Sequence, residues 1–313
     1  MYDDFFDLND LIENFIFEGY MPQKYNDEIY HYTSSNAFIS ILSKNSENLT
    51  LRASRYDCMN DYSEGTVAEE VYYEACNELL KQEKMSKELY DRLIEIKKDK
   101  EVMFYEKAEN SFKVKYYEAH RFVCSFSKDD DALAMWNYYS KGEKSEGINL
   151  GVSSEEIEDD LNQRYEDGRI RVNIYPVIYK KEKQLELVLR MLHNILSIDY
   201  TEDLDFICSM ISDQLTDWSL IFKKECFEHE KEVRLIVDIA KNTPIEIKYR
   251  NNYGYVIPFI EMNISKSVLL SVKIGPRYCD IVQKEKQKQV TSEMLNSWDY
   301  NAVITCSDIP VRY

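Results

Sequence analysis

The chain has 313 residues, with 39 Lys and Arg against 57 Asp and Glu, and a net charge of −18. That balance argues against nonspecific binding to duplex DNA, which needs a basic footprint, while leaving room for a local basic groove, and it disfavours anionic membrane surfaces. A hydrophobic fraction of 44% predicts a packed core, and only 8 Gly and 6 Pro leave no long flexible linker to divide it.

The expected order of elements begins with an amphipathic helix over residues 1–18, carrying Phe5, Phe6, Leu8, Leu11, Ile12, Phe15 and Ile16. Residues 29–33 form a short strand that places His31 and Thr33 on one face and Tyr30 and Tyr32 on the other. Ser34 or Ser35 then caps a helix running to about Lys44. A second strand, 49–53, leads into a polar loop, 54–65, which holds Arg55, Tyr56, Asp61 and Glu64. Residues 66–119 are rich in Glu, Lys, Leu and Tyr without Gly or Pro, and predict a helical insertion.

The clearest strand is Arg121–Ser127, with Ser125 and Ser127 on one face and Phe122, Cys124 and Phe126 on the other. A helix over 132–139 pairs Trp136 with Tyr139, a spacing that fits core packing or a stacking platform. Strand 147–152 and helix 154–164 follow, then a strand over 170–179 bent or placed at an edge by Pro176. A second helical insertion covers 183–228. Strands at 232–238, 255–262 and 268–274, a helix over 280–298 and a strand over 301–307 complete the chain. The expected architecture is one α+β or mixed α/β domain over 1–313, with a mixed or antiparallel central sheet and two helical insertions.

Within Phe227–Val237, Val233, Leu235 and Val237 alternate onto an apolar face, which leaves Glu230, Glu232 and Arg234 together on the other. Two carboxylates and a guanidinium on one strand fit either a solvated edge or an active site. The seven cysteines are odd in number and include no C-x-x-C pair. With no signal-peptide pattern and no run of about 18 apolar residues, a cytoplasmic location is expected. No dinucleotide-binding, P-loop or nucleophile-elbow signature occurs. Cys226-x-x-His229 lacks the second pair a zinc site needs.

Several blocks together resemble one bacterial family, domain of unknown function 2971, often found near mobile elements and defence genes. They are Tyr30-His31-Tyr32-Thr33-Ser34, Asn60-Asp61 with Glu64-Gly65, Val123–Ser127, Met135-Trp136-x-x-Tyr139, Glu230-x-Glu232-x-Arg234, Ile274-Gly275-Pro276 and Ser307-x-Ile309-Pro310-x-Arg312. Where the pattern leads into the acidic block with Trp-x-Tyr, this chain has Cys226-Phe227-Glu228-His229. A second set, His-x-Thr, Ser-x-Ser and Glu-x-Glu in that order, is similar to the motifs of ADP-ribosyltransferases. That resemblance implies NAD as substrate, with His31 holding a ribose hydroxyl.

The corresponding chemistry is cleavage of the nicotinamide–ribose bond through an oxocarbenium-like state, which a nearby carboxylate stabilises. Glu230 or Glu232 would supply that carboxylate, and the other would deprotonate an acceptor. His31 and Thr33 would hold a ribose, alongside Ser125 and Ser127. Tyr56 or Tyr139 would stack on nicotinamide, and Arg52, Arg55 or Arg234 would pair with the pyrophosphate. In the plainer alternative, Arg234 simply neutralises Glu230 or Glu232 in a structural ion pair. The expected activity is ADP-ribosyl transfer or NAD cleavage by a toxin or antiphage effector, with a protein or nucleic-acid acceptor and a phage protein as trigger. Two alternatives remain: a nonenzymatic sensing module, and a nuclease in which Asp61, Glu64, Glu230 and Glu232 gather a divalent metal. NAD chemistry expects His31 and the two glutamates to face one cleft, and the transferase reading fails if their side chains lie on opposite sides of the sheet.

Overall fold

The computed structural model describes residues 20–42, 47–59, 65–98, 101–108, 111–139, 147–165, 168–197, 204–252, 254–276 and 281–310. The helix expected over 1–18, together with Asn60, Asp61, Glu64 and Arg312, lies outside the described residues. In chain order the elements are β1 Glu28–Thr33, α1 Ser35–Leu42, β2 Asn48–Arg55, α2 Val67–Lys81, α3 Lys87–Leu93, β3 Glu101–Ala108 and β4 Ser111–Ser127. Then come α4 Leu133–Tyr139, β5 Ile148–Ser153, α5 Ser154–Arg164, β6 Ile170–Pro176, α6 Lys181–Leu196 and α7 Leu204–Trp218. The last are β7 Glu232–Ala240, β8 Lys248–Asn252, β9 Tyr255–Ser265, β10 Leu269–Ile274, α8 Ile281–Ser297 and β11 Val303–Cys306.

The class is α+β, as expected. The chain divides into two compact units, one of 1–23, 65–99 and 178–224, the other of 24–64, 100–177 and 225–313. The first unit is helical. α2 packs on α3, α6 and α7, with Tyr72, Leu79, Leu93, Val188, Met191 and Ile211 buried. Tyr72 donates to the Leu93 carbonyl at 3.0 Å, and the Trp218 indole donates to the Tyr20 carbonyl at 2.8 Å. Thus the two helical insertions contribute to one body rather than standing as separate caps.

The boundaries of both insertions need correction. Helix in 66–119 ends at Leu93, and β3 and β4 pair as a hairpin from Glu101↔Glu118 to Ala108↔Ser111. Val102 and Phe104 alternate into a buried cluster with Ala240, so a period of two prevails over helix-favouring composition. In the second insertion the helix ends at Trp218, and residues 225–230 form a 3-10 turn.

The second unit is built on a mixed sheet of eleven strands among the described residues. Its main path runs β11-β10-β5-β1-β4-β2-β9-β8, and β7 and β6 continue from β4. Among the described strands only β10–β11 pair in parallel. One face is apolar. Ile29, Leu51, Phe122, Cys124, Phe126, Leu150, Val233, Leu235 and Ile260 pack there with Phe38 and Leu42 of α1 and Ile157 and Leu161 of α5. β7 keeps the alternation expected for Val233, Leu235 and Val237, and the strand is buried along its whole length.

Candidate functional site

The sheet is split beside β4. Residues 119–127 of β4 pair in unbroken register with β7 along one edge. On the other edge β2 meets only Phe122 and Val123, and β1 meets only Ser127. Among the described residues, Cys124, Ser125 and Phe126 therefore have no strand neighbour there. A cleft of about 600 Å³ opens at this gap. His31, Thr33, Arg52, Ser125, Tyr139, Glu230 and Glu232 all line it.

Directly opposed residues of antiparallel strands project to the same side. The pairs Ser54↔Val123, Ser125↔Arg234, Arg52↔Glu261 and Arg250↔Ile257 therefore set Arg52, Ser54, Ser125, Glu232, Arg234, Arg250 and Glu261 on one polar face. His31 and Thr33 alternate with Ile29, and so belong to the apolar face. His31 and Glu232 thus project from opposite sides of the sheet, the arrangement set against the transferase reading above, although both line the one cleft that reading requires. They line one cleft because the sheet is interrupted between them.

His31 sits 5.5 Å from the Phe126 ring and places Nδ1 3.2 Å from the Ser125 carbonyl. A carbonyl only accepts, so Nδ1 carries the proton and Nε2 is left as an acceptor. Burial pushes the imidazole pKa below its ordinary value, against the smaller opposing effect of the Ser125 carbonyl. The ring is therefore neutral at neutral pH.

The acidic block differs from the regular strand expected. The strand begins at Glu232, and Glu230 ends the 3-10 turn. Between them Lys231 adopts φ 44°, a left-handed conformation uncommon away from glycine. Its amide donates to the Glu228 carbonyl at 3.1 Å, and its carbonyl accepts from Lys128 at 2.9 Å. Glu230 and Glu232 are 8% and 4% exposed. Arg234, 2% exposed, holds both oxygens of Glu232 at 2.9 and 3.0 Å.

Four further residues depart from the expected roles. Arg234 does not line the cleft; it is committed to Glu232, as in the plainer alternative. Ser127 is fully buried, donating to the Glu230 carbonyl at 2.8 Å and accepting from the Asp129 amide at 3.1 Å, so its role is to shape the turn. Tyr56 is absent from the lining, and Arg55 is held by Asp57 at 2.6 Å.

The blocks carrying Tyr32, Trp136 and Ser307 meet around the start of α4. The Tyr32 hydroxyl accepts from the Ala132 amide at 2.9 Å and donates to the Asp129 carbonyl at 2.8 Å. Trp136 is buried edge-on to Tyr32 and donates to Asp131 at 2.8 Å, and Ser307 donates to the same carboxylate at 2.6 Å. Trp136 is therefore core, while Tyr138 and Tyr139 are exposed at the cleft. Tyr138 is 3.2 Å from His229.

Sequence reasoning missed Arg250, which reaches the cleft from β8. The missed signal was Asn251-Asn252-Tyr253-Gly254 ahead of an apolar strand. Gly254 has φ 88°, and its amide donates to the Asn251 side chain at 3.0 Å.

Residues 135–235 match the model of DUF2971, a family of proteins of unknown function. Over that stretch, about a third of the chain, the sequence is similar to the family. The stretch includes Met135, Trp136, Tyr139, Glu230, Glu232 and Arg234. No curated protein and no solved structure matches the chain. Among the described residues no group of three or more His, Cys, Asp or Glu is arranged to hold a metal. No described helix is long and apolar enough to cross a membrane.

Proposed function

We propose that the cleft binds NAD and that the protein cleaves its nicotinamide–ribose bond, passing ADP-ribose to water or to a protein or nucleic-acid acceptor. The observation that carries this is a neutral imidazole acceptor and two glutamates lining one cleft across a split in the sheet. Nε2 of His31 suits a ribose hydroxyl donor, with Thr33 beside it. Breaking the C1′–N1 bond sends the electron pair to nicotinamide and leaves positive charge on the ribose. A carboxylate beside that carbon stabilises it. We assign this role to Glu230, which lines the cleft; both oxygens of Glu232 accept from Arg234. The acceptor oxygen then bonds to C1′ and gives its proton to Glu230. A tyrosine at the mouth, Tyr138 or Tyr139, would stack on the leaving ring.

The clamp on Glu232 also favours a second reading, a sensing module in a defence system that binds a nucleotide without turnover. Nicotinamide release separates the two. Wild-type protein should release nicotinamide from NAD, with lysate added as acceptor, and Glu230→Gln should lose about a hundredfold or more. ADP-ribose binding with no release by the wild type would leave the sensing module in its place.

A further inference from the structure

The opposite wall of the cleft carries an excess of cations. Arg52 donates to Glu261 through Nε and Nη2 at 3.2 and 3.0 Å, and lies 5.0 Å above the Phe259 ring. Lys248 shares Glu261 at 2.7 Å and approaches Glu246 at 3.5 Å. Arg250 stands apart from both. Its Nη2 donates to the Ser54 hydroxyl at 2.9 Å, and among the described residues no carboxylate pairs with it. Burial, and then Arg52 beside it, push its pKa down, as expected for a guanidinium without a counter-ion. Arg250 is exposed on β8 and lines the cleft, so an incoming anion can reach its guanidinium.

We propose that Arg250, with Arg52 and Ser54, forms a phosphate site at the basic end of the cleft, which takes the diphosphate of the bound nucleotide. Taking a diphosphate from a nucleotide, rather than as a free ion, rests on the NAD reading above. Arg250 and Ser54 share the polar face, and a guanidinium fork meets two phosphate oxygens at once. The hydroxyl of Ser54 orients that fork. Arg52 adds charge, though Glu261 holds part of it. A diphosphate here and a ribose at His31 would lie at two ends of the same cleft.

The test is a calorimetric titration of wild type, Arg250→Ala and Arg250→Lys with ADP-ribose, inorganic pyrophosphate and adenosine, with thermal melting as a fold check. Wild type should bind both phosphate compounds, more weakly as salt rises. Arg250→Ala should lose about tenfold or more for each, Arg250→Lys less, and neither should change any adenosine binding. Pyrophosphate binding without ADP-ribose binding would keep the phosphate site and remove the NAD reading. Failure of wild type to bind pyrophosphate would overturn the site. So would equal affinities for wild type and Arg250→Ala, or an equal loss for adenosine.

Discussion

Two charged clusters lie on the same polar face of the sheet and behave in opposite ways. At one, Asp238 of β7 receives Arg121 of β4 at 2.6 and 3.2 Å and Arg171 of β6 at 2.9 Å. Asp238 is fully buried and Arg121 nearly so. At the other, Glu261 serves Arg52 and Lys248 at a cleft wall, half in water, with Arg250 left over. In each, one carboxylate bridges two cations, and in the second Lys248 also approaches Glu246. Only the first is closed to solvent, so only the first must be satisfied internally to exist. The second can exchange its partners for a ligand's charge. Burial, rather than the count of charges, separates a structural cluster from a binding surface.

The largest expected effect tests the closed cluster. Asp238→Ala leaves the buried Arg121 and the partly buried Arg171 without this carboxylate and should cost about 3–5 kcal/mol of unfolding free energy, read by chemical denaturation. Burial alone would raise the Asp238 pKa, but Arg121 and then Arg171 outweigh it and hold the carboxyl below its ordinary value. The lowered folded pKa gives the sign. Its contribution is complete above the ordinary value of 3.8 and is lost as pH falls through the folded one. The wild type should therefore lose more stability in acid than the variant. Identical acid dependence would mean that the cluster does not stabilise the fold.

A smaller effect belongs to the joint between the two halves. Lys231 holds a left-handed conformation between Glu230 and the first strand residue. Lys231→Val puts a β-branched side chain there and should cost about 1–2 kcal/mol. Lys231→Asn, which tolerates the conformation, should stay within about 0.5 kcal/mol, since it gives up only an exposed contact to Asp129. Equal melting temperatures for Val and Asn would mean that the kink relaxes freely.

Legibility in the sequence follows this contrast. β7 was readable because its buried face alternates strictly, and α5 was readable because Ser153 caps it, accepting from the Glu156 amide at 3.3 Å. β8 was not, because Lys248-Tyr249-Arg250-Asn251-Asn252 is an exposed edge strand with no apolar alternation to reveal it. The cleft residues His31, Ser125 and Glu230 stood out by type and order. The split that brings His31 and Glu232 to one cleft depends on where β1 and β2 leave β4, a long-range property that no local pattern records. Arg234 and Ser127 were misassigned for a related reason: position on a polar face does not say which polar groups are already committed to each other.

The cleft side also carries a pH dependence that the closed cluster lacks near neutrality. Burial lowers the His31 pKa below 6.5, so the imidazole is a neutral acceptor above that value. As pH falls through the folded pKa, a proton on Nε2 removes the acceptor, and the stability linked to the lowered pKa goes with it. ADP-ribose affinity, measured from about pH 8 down to pH 5, should fall by about tenfold at the acid end, while His31→Ala should bind weakly at every pH. A flat wild-type profile would remove His31 from ribose binding.

The smallest expected effect sharpens the comparison most. Glu261→Gln keeps the size of the side chain but releases Arg52 and Lys248 from their shared counter-charge. As an exposed network it should cost less than about 1 kcal/mol of stability, against several for Asp238→Ala. Lys248, and then Arg52, hold the Glu261 carboxyl below its ordinary pKa, so this charge is present at neutral pH and competes with any anion at the wall. Removing it should raise pyrophosphate affinity severalfold, most strongly at low salt. A loss of affinity would mean that Glu261 positions Arg52 rather than competing for it, and that the open cluster is as fixed as the buried one.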